Sequence, residues 1–335
     1  MKREDLVLRC RTKIAQKLPA ELEEKVTSFQ RYTINLRKLY GYGLEAIGNM
    51  DETPLTFDLP ANRTADTRGT KTVMVKTRGH EKLHFTCVLS VTADGGKLPP
   101  LVAFKRKKNS SKINFVSGVL IRANEKGWMN EALTEEWLHK VWNRRPRNVA
   151  NGRSMLVWDS FRAHITDPVK NVATKMKTDL NVIPGGLTSL MQPLDVSLNK
   201  PFKDRMKSQW NDWMLSGKGK LTAGGNLVKP DLPTVVKWVK DAWESIPKDM
   251  VVKSFLKCGT SNKLNGTEDH NLYEDDDDFA DATLELDDPD DYTADVEMLD
   301  GAYEMLFPSD DESEIDDDMP DETFQILNPS DDEEQ

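Results

Sequence analysis

The chain has 335 residues and a formal net charge of -10, but its charge is divided between two parts of opposite sign. From Leu264 onward there are 30 Asp and Glu residues and no Lys or Arg, whereas the body before it holds all 46 basic residues and carries about +20. Three widely spaced cysteines exclude a disulfide scaffold, and no apolar run has the length of a membrane span, so we expect a protein of the cytosol or nucleus.

The charge of the body also bears on its partner. A surface with this excess of Lys and Arg attracts polyanions, which favours a nucleic-acid partner over the simpler alternative that the basic residues only solvate the surface. The tail has too few apolar residues and too much like charge to form its own core, and we expect it to be disordered.

Helical patterns open the predicted fold. Apolar residues recur at helical spacing from Glu4 to about Leu39, interrupted at Pro19, which predicts two or three helices. Strand patterns rich in β-branched residues follow, and the prolines in the last of them favour a short or edge strand. The four predicted strands are 48–57, 72–77, 83–92 and 98–104.

The second part of the body alternates helices and strands. Helices are predicted at 130–141, 168–176, 196–215 and 233–245, strands at 154–158 and 180–184, and a loop at 185–192. A mixed sheet covered by helices accounts for this order, which is an α/β architecture with loops at the strand ends holding the site.

Three aspartates follow or lie in apolar segments: Asp51, Asp159 and Asp195. Carboxylates in such places are costly to bury unless a cation neutralises them, and oxygen ligands suit a hard divalent ion better than zinc. Three acids can hold two Mg²⁺ ions roughly 3.5 to 4 Å apart, the arrangement used for phosphoryl transfer. The alternative is three unrelated turn or cap aspartates.

The surrounding motifs indicate a family. Residues 49–53, 158–164 and 188–195, the last continued by 199–203, resemble the DDE superfamily endonuclease domain of pogo/Tigger-like transposases and of relatives such as jerky-type proteins and centromere protein B. The resemblance covers about residues 46–257. It implies an RNase H-like fold in which Asp51, Asp159 and Asp195 bind two Mg²⁺ or Mn²⁺ ions, cut DNA ends and join them to target DNA.

The resemblance also implies a domain organisation. Residues 1–45 would be a helical linker that follows a helix-turn-helix DNA-binding region missing from this sequence, because residues 10–19 look like the family's linker. Residues 46–260 would form the endonuclease domain and residues 261–335 the acidic tail. The tail is either a solvating extension or a shield of the basic body, and its apolar islands are candidate docking points for protein partners.

Candidate DNA-contacting residues lie in two basic loops and after Asp159. Nuclear import competes for the first loop, an ion pair for Arg162, and packing for His164. The candidates are Lys105, Arg106, Lys107, Lys108, Arg144, Arg145, Arg147, Arg162 and His164. Glu52 is expected to point away from Asp51, because neighbouring residues of a strand face opposite sides.

Two functions are therefore expected. The first is a nuclear, metal-dependent DNA endonuclease and strand transferase, with a homodimer as a further expectation. The second is a domesticated, catalytically inactive DNA-binding or scaffold protein that keeps the fold for dimerisation and partner docking.

Overall fold

The computed structural model describes residues 22–57, 83–106, 117–145, 152–216 and 229–272, which form a six-stranded mixed sheet between two layers of helices. The strands are β1 Ile47–Thr56, β2 His84–Thr92, β3 Leu101–Lys105, β4 Leu120–Asn124, β5 Ser154–Trp158 and β6 Thr178–Val182. The helices are α1 Leu22–Tyr40, α2 Glu131–Lys140, α3 Asp167–Lys175, α4 Thr188–Met191, α5 Asn199–Leu215, α6 Leu232–Glu244 and α7 Lys248–Lys257.

The strand order is β4-β3-β2-β1-β5-β6. β1, β2 and β3 pair antiparallel, whereas β5 runs parallel to β1 and β6 parallel to β5. β1 and β5 are in register at Asn49 and Val157. Because parallel strands end at the same edge of a sheet, continuing this register by two residues brings Asp51 beside Asp159.

Each face of the sheet packs against its own helices. On one face, Ile47 of β1 and Leu89 of β2 belong to a core that includes Phe29 of α1 and residues of α5, α6 and α7. On the other face, Met50 and Trp158 pack with apolar residues of α2 and α3. Odd-numbered residues of β1, including Asp51, therefore share the first face, and the even-numbered Glu52 belongs to the second.

The predicted α/β architecture is confirmed, with differences in individual elements. The sequence interpretation missed β4 and α7, and it assigned the short helix α4 to a loop. In β4 only Ile121 and Ala123 are buried, because the other three positions alternate outward at the edge of the sheet. The predicted strand at 72–77 and the predicted helices before residue 22 lie outside the described residues.

Both ends of the described chain pack on the sheet domain. Arg37 of α1 donates to the backbone oxygens of Ser261 at 3.1 Å and of Asn262 at 2.7 Å. The described part of the expected linker, and residues just past the expected domain end at 260, thus belong to one packed unit. The expected disorder of the acidic tail falls mainly on residues 273–335, which lie outside the described residues. Among the described helices, none has the length and apolarity needed to cross a membrane.

Candidate active site

Asp51 and Asp159 meet at one edge of the sheet. Asp51 lies in the middle of β1 and is 7% exposed, and Asp159 is the first residue after β5. The parallel register of β1 and β5 sets them side by side. This edge is where the carboxyl ends of parallel strands form binding sites in α/β folds.

Asp195 reaches the same place from the start of a helix. A π-helical turn, Leu194–Leu198, runs directly into α5, and π-helical turns recur at functional sites. Asn199, one helical turn after Asp195, donates from Nδ2 to Asp51 Oδ2 at 2.7 Å and to Asp195 Oδ1 at 2.9 Å. The same amide group therefore joins the first and third acids.

Asn49 connects the segments that carry all three acids. This side chain is fully buried, and its Nδ2 donates to the backbone oxygen of Val157 at 2.9 Å. Its Oδ1 accepts from the backbone N–H of Leu194 at 3.0 Å. Asn49 is itself two residues before Asp51. Its partner Val157 is two residues before Asp159, and its partner Leu194 is directly before Asp195.

The electrostatics of the cluster favour a bound cation. Burial raises the pKa of Asp51 well above its usual range, and the charges of Asp195, Glu52 and Asp159 raise it further. The pKa of Asp195 is also raised, to about 6, chiefly because surrounding protein removes water from its carboxylate. As a whole, however, Asp195 is exposed. Solvent weakens this effect at an exposed residue, so Asp51 is the better guide to the site.

The donor atoms also suit a hard cation. Carboxylates dominate the cluster, and Asn199 Oδ1 is a buried oxygen with no hydrogen-bond partner. Among the described residues, no three His, Cys, Asp or Glu side chains already surround a point at metal-ligand distances. Asn199 lies between Asp51 and Asp195, so we expect these side chains to reorient when an ion binds.

His164 lies behind Asp159 rather than at the surface. Its ring is fully buried and stacks on Trp158, with ring centroids 4.7 Å apart. Nδ1 is 2.7 Å from Asp159 Oδ1 and Nε2 is 2.9 Å from Glu52 Oε1. Burial alone lowers the pKa of His164, but the charges and hydrogen bonds of Glu52 and Asp159 outweigh it and raise the pKa to about 10.

Two candidate DNA contacts need correction. His164 has no exposed surface, and both of its ring nitrogens face carboxylates, so it is not available to a phosphate. Arg145 is buried, lies 3.4 Å from the centre of the Trp142 ring and donates to the Trp142 backbone oxygen at 2.7 Å. Burial lowers the pKa of Arg145 to about 10. A guanidinium held in this way supports packing, not DNA contact.

The other described basic candidates divide between two edges of the sheet. Lys105 is the last residue of β3 and Arg106 follows it, on the same edge as Asp51, and the exposed Arg162 lies three residues after Asp159. Arg144 is also exposed. It lies at the opposite edge of the sheet, since nearby Trp142 donates a hydrogen bond to Thr178 at the start of β6. Lys107, Lys108 and Arg147 lie outside the described residues.

Sequence reasoning missed two site residues inside its own motifs, Asn49 and Asn199, and one contact, between Glu52 and His164. An Asn between apolar residues at the start of a strand is a usable signal, because a buried amide needs partners. For Asn199 the signal is its position four residues after Asp195, since residues four apart on a helix share a face.

Comparison with known proteins identifies the family. A family model described as the DDE superfamily endonuclease matches residues 82–255.

The chain belongs to this family.

This DDE-family chain is also similar to curated transposon-related proteins. It is 43% identical over 269 residues to the human "Pogo transposable element with KRAB domain", covering 80% of this chain and 44% of the relative. The mouse protein of the same name is 41% identical over 264 residues, covering 79% and 43%. The chain therefore spans less than half the length of these relatives.

Solved structures confirm the RNase H-like fold of this DDE-family chain. The Mos1 transposase paired-end complex with left transposon end aligns with a TM-score of 0.52 and 12% identity, covering 77% of this chain and 65% of that one. The Mos1 strand transfer complex aligns with a TM-score of 0.51 and 11% identity, covering 77% and 64%. The family match begins after Asp51, whose place beside Asp159 rests on the strand register.

Replacing Asp51 by Asn should stabilise the protein at neutral pH without metal. The pKa of Asp51 is raised in the folded state. The contribution of Asp51 to the free energy of unfolding is therefore greatest below the usual Asp pKa of 3.8 and is lost as the pH rises through the raised value. A neutral amide avoids this loss, so Asp51→Asn should gain at least about 1 kcal/mol at pH 7.5 and less near pH 4. Urea unfolding with a chelator present measures this difference.

The exposed Asp212→Asn on α5 is the matched control, and it should leave the free energy of unfolding unchanged at both pH values. Equal stability of wild type and Asp51→Asn at pH 7.5 would contradict the electrostatic strain assigned to the site.

Replacing Asn49 by Leu should destabilise the fold. The new side chain has a similar size but leaves the Leu194 N–H and the Val157 oxygen without this partner, at a cost on the order of 2 to 4 kcal/mol. Urea unfolding compares this variant with Asn171→Leu, an exposed position on α3 that should change stability by less than about 0.5 kcal/mol. If both variants unfold like the wild type, Asn49 does not join the motifs.

Proposed function

We propose that this chain is a metal-dependent DNA endonuclease and strand transferase in which Asp51, Asp159 and Asp195 are the catalytic acids. The observation that carries the proposal is the convergence of these three carboxylates at one sheet edge, where Asn199 bonds two of them. Membership of the DDE superfamily endonuclease family supports the reaction class.

In this proposal the three aspartates hold two Mg²⁺ or Mn²⁺ ions. Their oxygens are the ligands that such ions prefer. Burial first, and then the neighbouring carboxylates, raise the pKa of Asp51, and a bound cation would favour its ionised form. Two bound ions would supply activation of an attacking hydroxyl and stabilisation of the leaving oxygen of a phosphodiester.

The protein side chains supply position and charge balance. Asn199 keeps Asp51 and Asp195 together through its amide. Lys203, two turns after Asp195, is near enough for its positive charge to favour the ionised carboxylate. Asp159 is fixed through Oδ1, which accepts from the backbone N–H of Phe161 at 3.1 Å. These contacts limit the movement needed when ions and DNA bind.

DNA approaches this edge in our proposal through basic side chains, of which Lys105 and Arg162 are exposed and Arg106 is half-buried. Lys105, Arg106 and Arg162 lie on the side of the sheet that carries the acids and would contact phosphates without reading sequence. The similar Mos1 structure is a paired-end complex with a transposon end. By extension we propose transposon-type DNA ends as the substrate, two copies of the chain as the working assembly and the nucleus as its location.

The Asp159→Asn variant tests the catalytic assignment. The amide keeps the size of the side chain but ligates Mg²⁺ poorly, so nicking of supercoiled plasmid DNA by the full chain should fall to the metal-free background. Asp167→Asn, whose side chain is 93% exposed at the start of α3, is the matched control and should cut at the wild-type rate.

Two results would count against this assignment. Nicking that survives in Asp159→Asn would mean that the site lies elsewhere. Wild-type protein that binds DNA but never cuts it in Mg²⁺ or Mn²⁺ would instead favour the domesticated, inactive DNA-binding or scaffold protein.

A further inference from the structure

Glu52 and His164 form a buried chain of polar contacts that ends at Asp159. We propose that these two side chains are positioning residues, which hold the Asp159 carboxylate with Oδ2 turned toward the bound ions. This inference rests on the proposed function, because it assigns Asp159 as a metal ligand. Neither Glu52 nor His164 would touch the ions or the DNA itself.

The two carboxylate oxygens of Asp159 have different surroundings. Oδ1 lies 2.7 Å from His164 Nδ1 and accepts from the Phe161 N–H at 3.1 Å. Both contacts go to the same oxygen, so Oδ2 is the atom that remains for a cation. Two donors from different directions also fix the rotation of the carboxylate about its bond to Cβ.

The His164 ring is held in place by two aromatic rings and two carboxylates. Its ring stacks on Trp158 at an interplanar angle of 12° and meets the edge of Phe161, with centroids 5.3 Å apart. Nε2 is 2.9 Å from Glu52 Oε1. Turning the ring would break contacts with both carboxylates at once, so the orientation of Nδ1 toward Asp159 is fixed.

His164 faces a carboxylate oxygen at each ring nitrogen. Nδ1 is 2.7 Å from Asp159 Oδ1 and Nε2 is 2.9 Å from Glu52 Oε1, so the ring bridges the two acids. A histidine needed only for packing on Trp158 would not require a carboxylate at each nitrogen.

Glu52 acts at a distance from the ions. It lies on the opposite face of β1 from Asp51, with the apolar cluster that contains Trp158. It therefore reaches the acids through His164. Such outer contacts to metal ligands are worth roughly 10- to 100-fold in metal affinity.

Two substitutions of His164 separate positioning from packing. The amide nitrogen of Asn takes the place of Nδ1, so His164→Asn keeps a donor for Asp159. The longer Gln places its amide near Nε2, so His164→Gln keeps the Glu52 contact and loses Asp159. His164→Gln should weaken Mn²⁺ binding by roughly 10- to 100-fold, and His164→Asn by clearly less.

Calorimetric titration of the full chain with Mn²⁺ is the measurement. The acidic tail also attracts Mn²⁺, so binding by Asp51→Asn, which keeps the tail, serves as the background to subtract. Glu52→Ala should weaken the Asp51-dependent site, whereas Glu52→Gln keeps an acceptor oxygen and should weaken it less. The double variant Glu52→Ala/His164→Gln should bind no more weakly than His164→Gln alone, because both act through one contact.

Thermal melting of the same variants identifies a purely structural role. Leu138→Ala, in the apolar cluster on the same face of the sheet, should lower the melting temperature while leaving Mn²⁺ affinity unchanged. The inference is overturned if His164→Gln and His164→Asn bind Mn²⁺ equally well, or if affinity follows melting temperature across all variants. Absence of any Asp51-dependent Mn²⁺ site in the wild type would instead overturn the proposed function.

Discussion

Asn49 lies fully buried where β1, β5 and the turn before α5 meet, and its amide bonds to the backbone of the two segments that carry Asp159 and Asp195. A strand pair alone aligns Asp51 with Asp159, but nothing in sheet geometry brings in a helix from elsewhere in the chain. The amide does so at a fixed distance, because both of its groups lack access to water and must be satisfied by these backbone partners. The site therefore depends on a polar contact inside the core.

The same region carries electrostatic strain. Burial raises the pKa of Asp51, and the nearby carboxylates of Asp195, Glu52 and Asp159 raise it further. Two devices reduce the cost without filling the site: the Asn199 amide between Asp51 and Asp195, and the imidazole between Asp159 and Glu52. Both leave carboxylate oxygens available for the proposed cation. Such strain is typical of functional sites, where activity and stability pull in different directions.

Much of this arrangement was predictable from the sequence, and the failures have physical reasons. Strand periodicity and the family motifs predicted the sheet and the three acids. β4 was missed because an edge strand of five residues buries only two of them. The burial of Arg145 could not be predicted, since a charged side chain in a loop is normally exposed and only tertiary contacts reverse this, whereas packing of His164 was already an alternative to DNA contact. The link from Glu52 to His164 joins residues 112 positions apart, beyond any local pattern.

A crystal structure of the full chain grown with Mn²⁺ would show whether Asp51, Asp159 and Asp195 form one divalent-ion site. Anomalous scattering locates manganese independently of the protein atoms. We expect one or two manganese peaks, each within about 2.5 Å of oxygens from these aspartates. Manganese bound only elsewhere, with the Asn199 amide still between Asp51 and Asp195, would contradict this expectation.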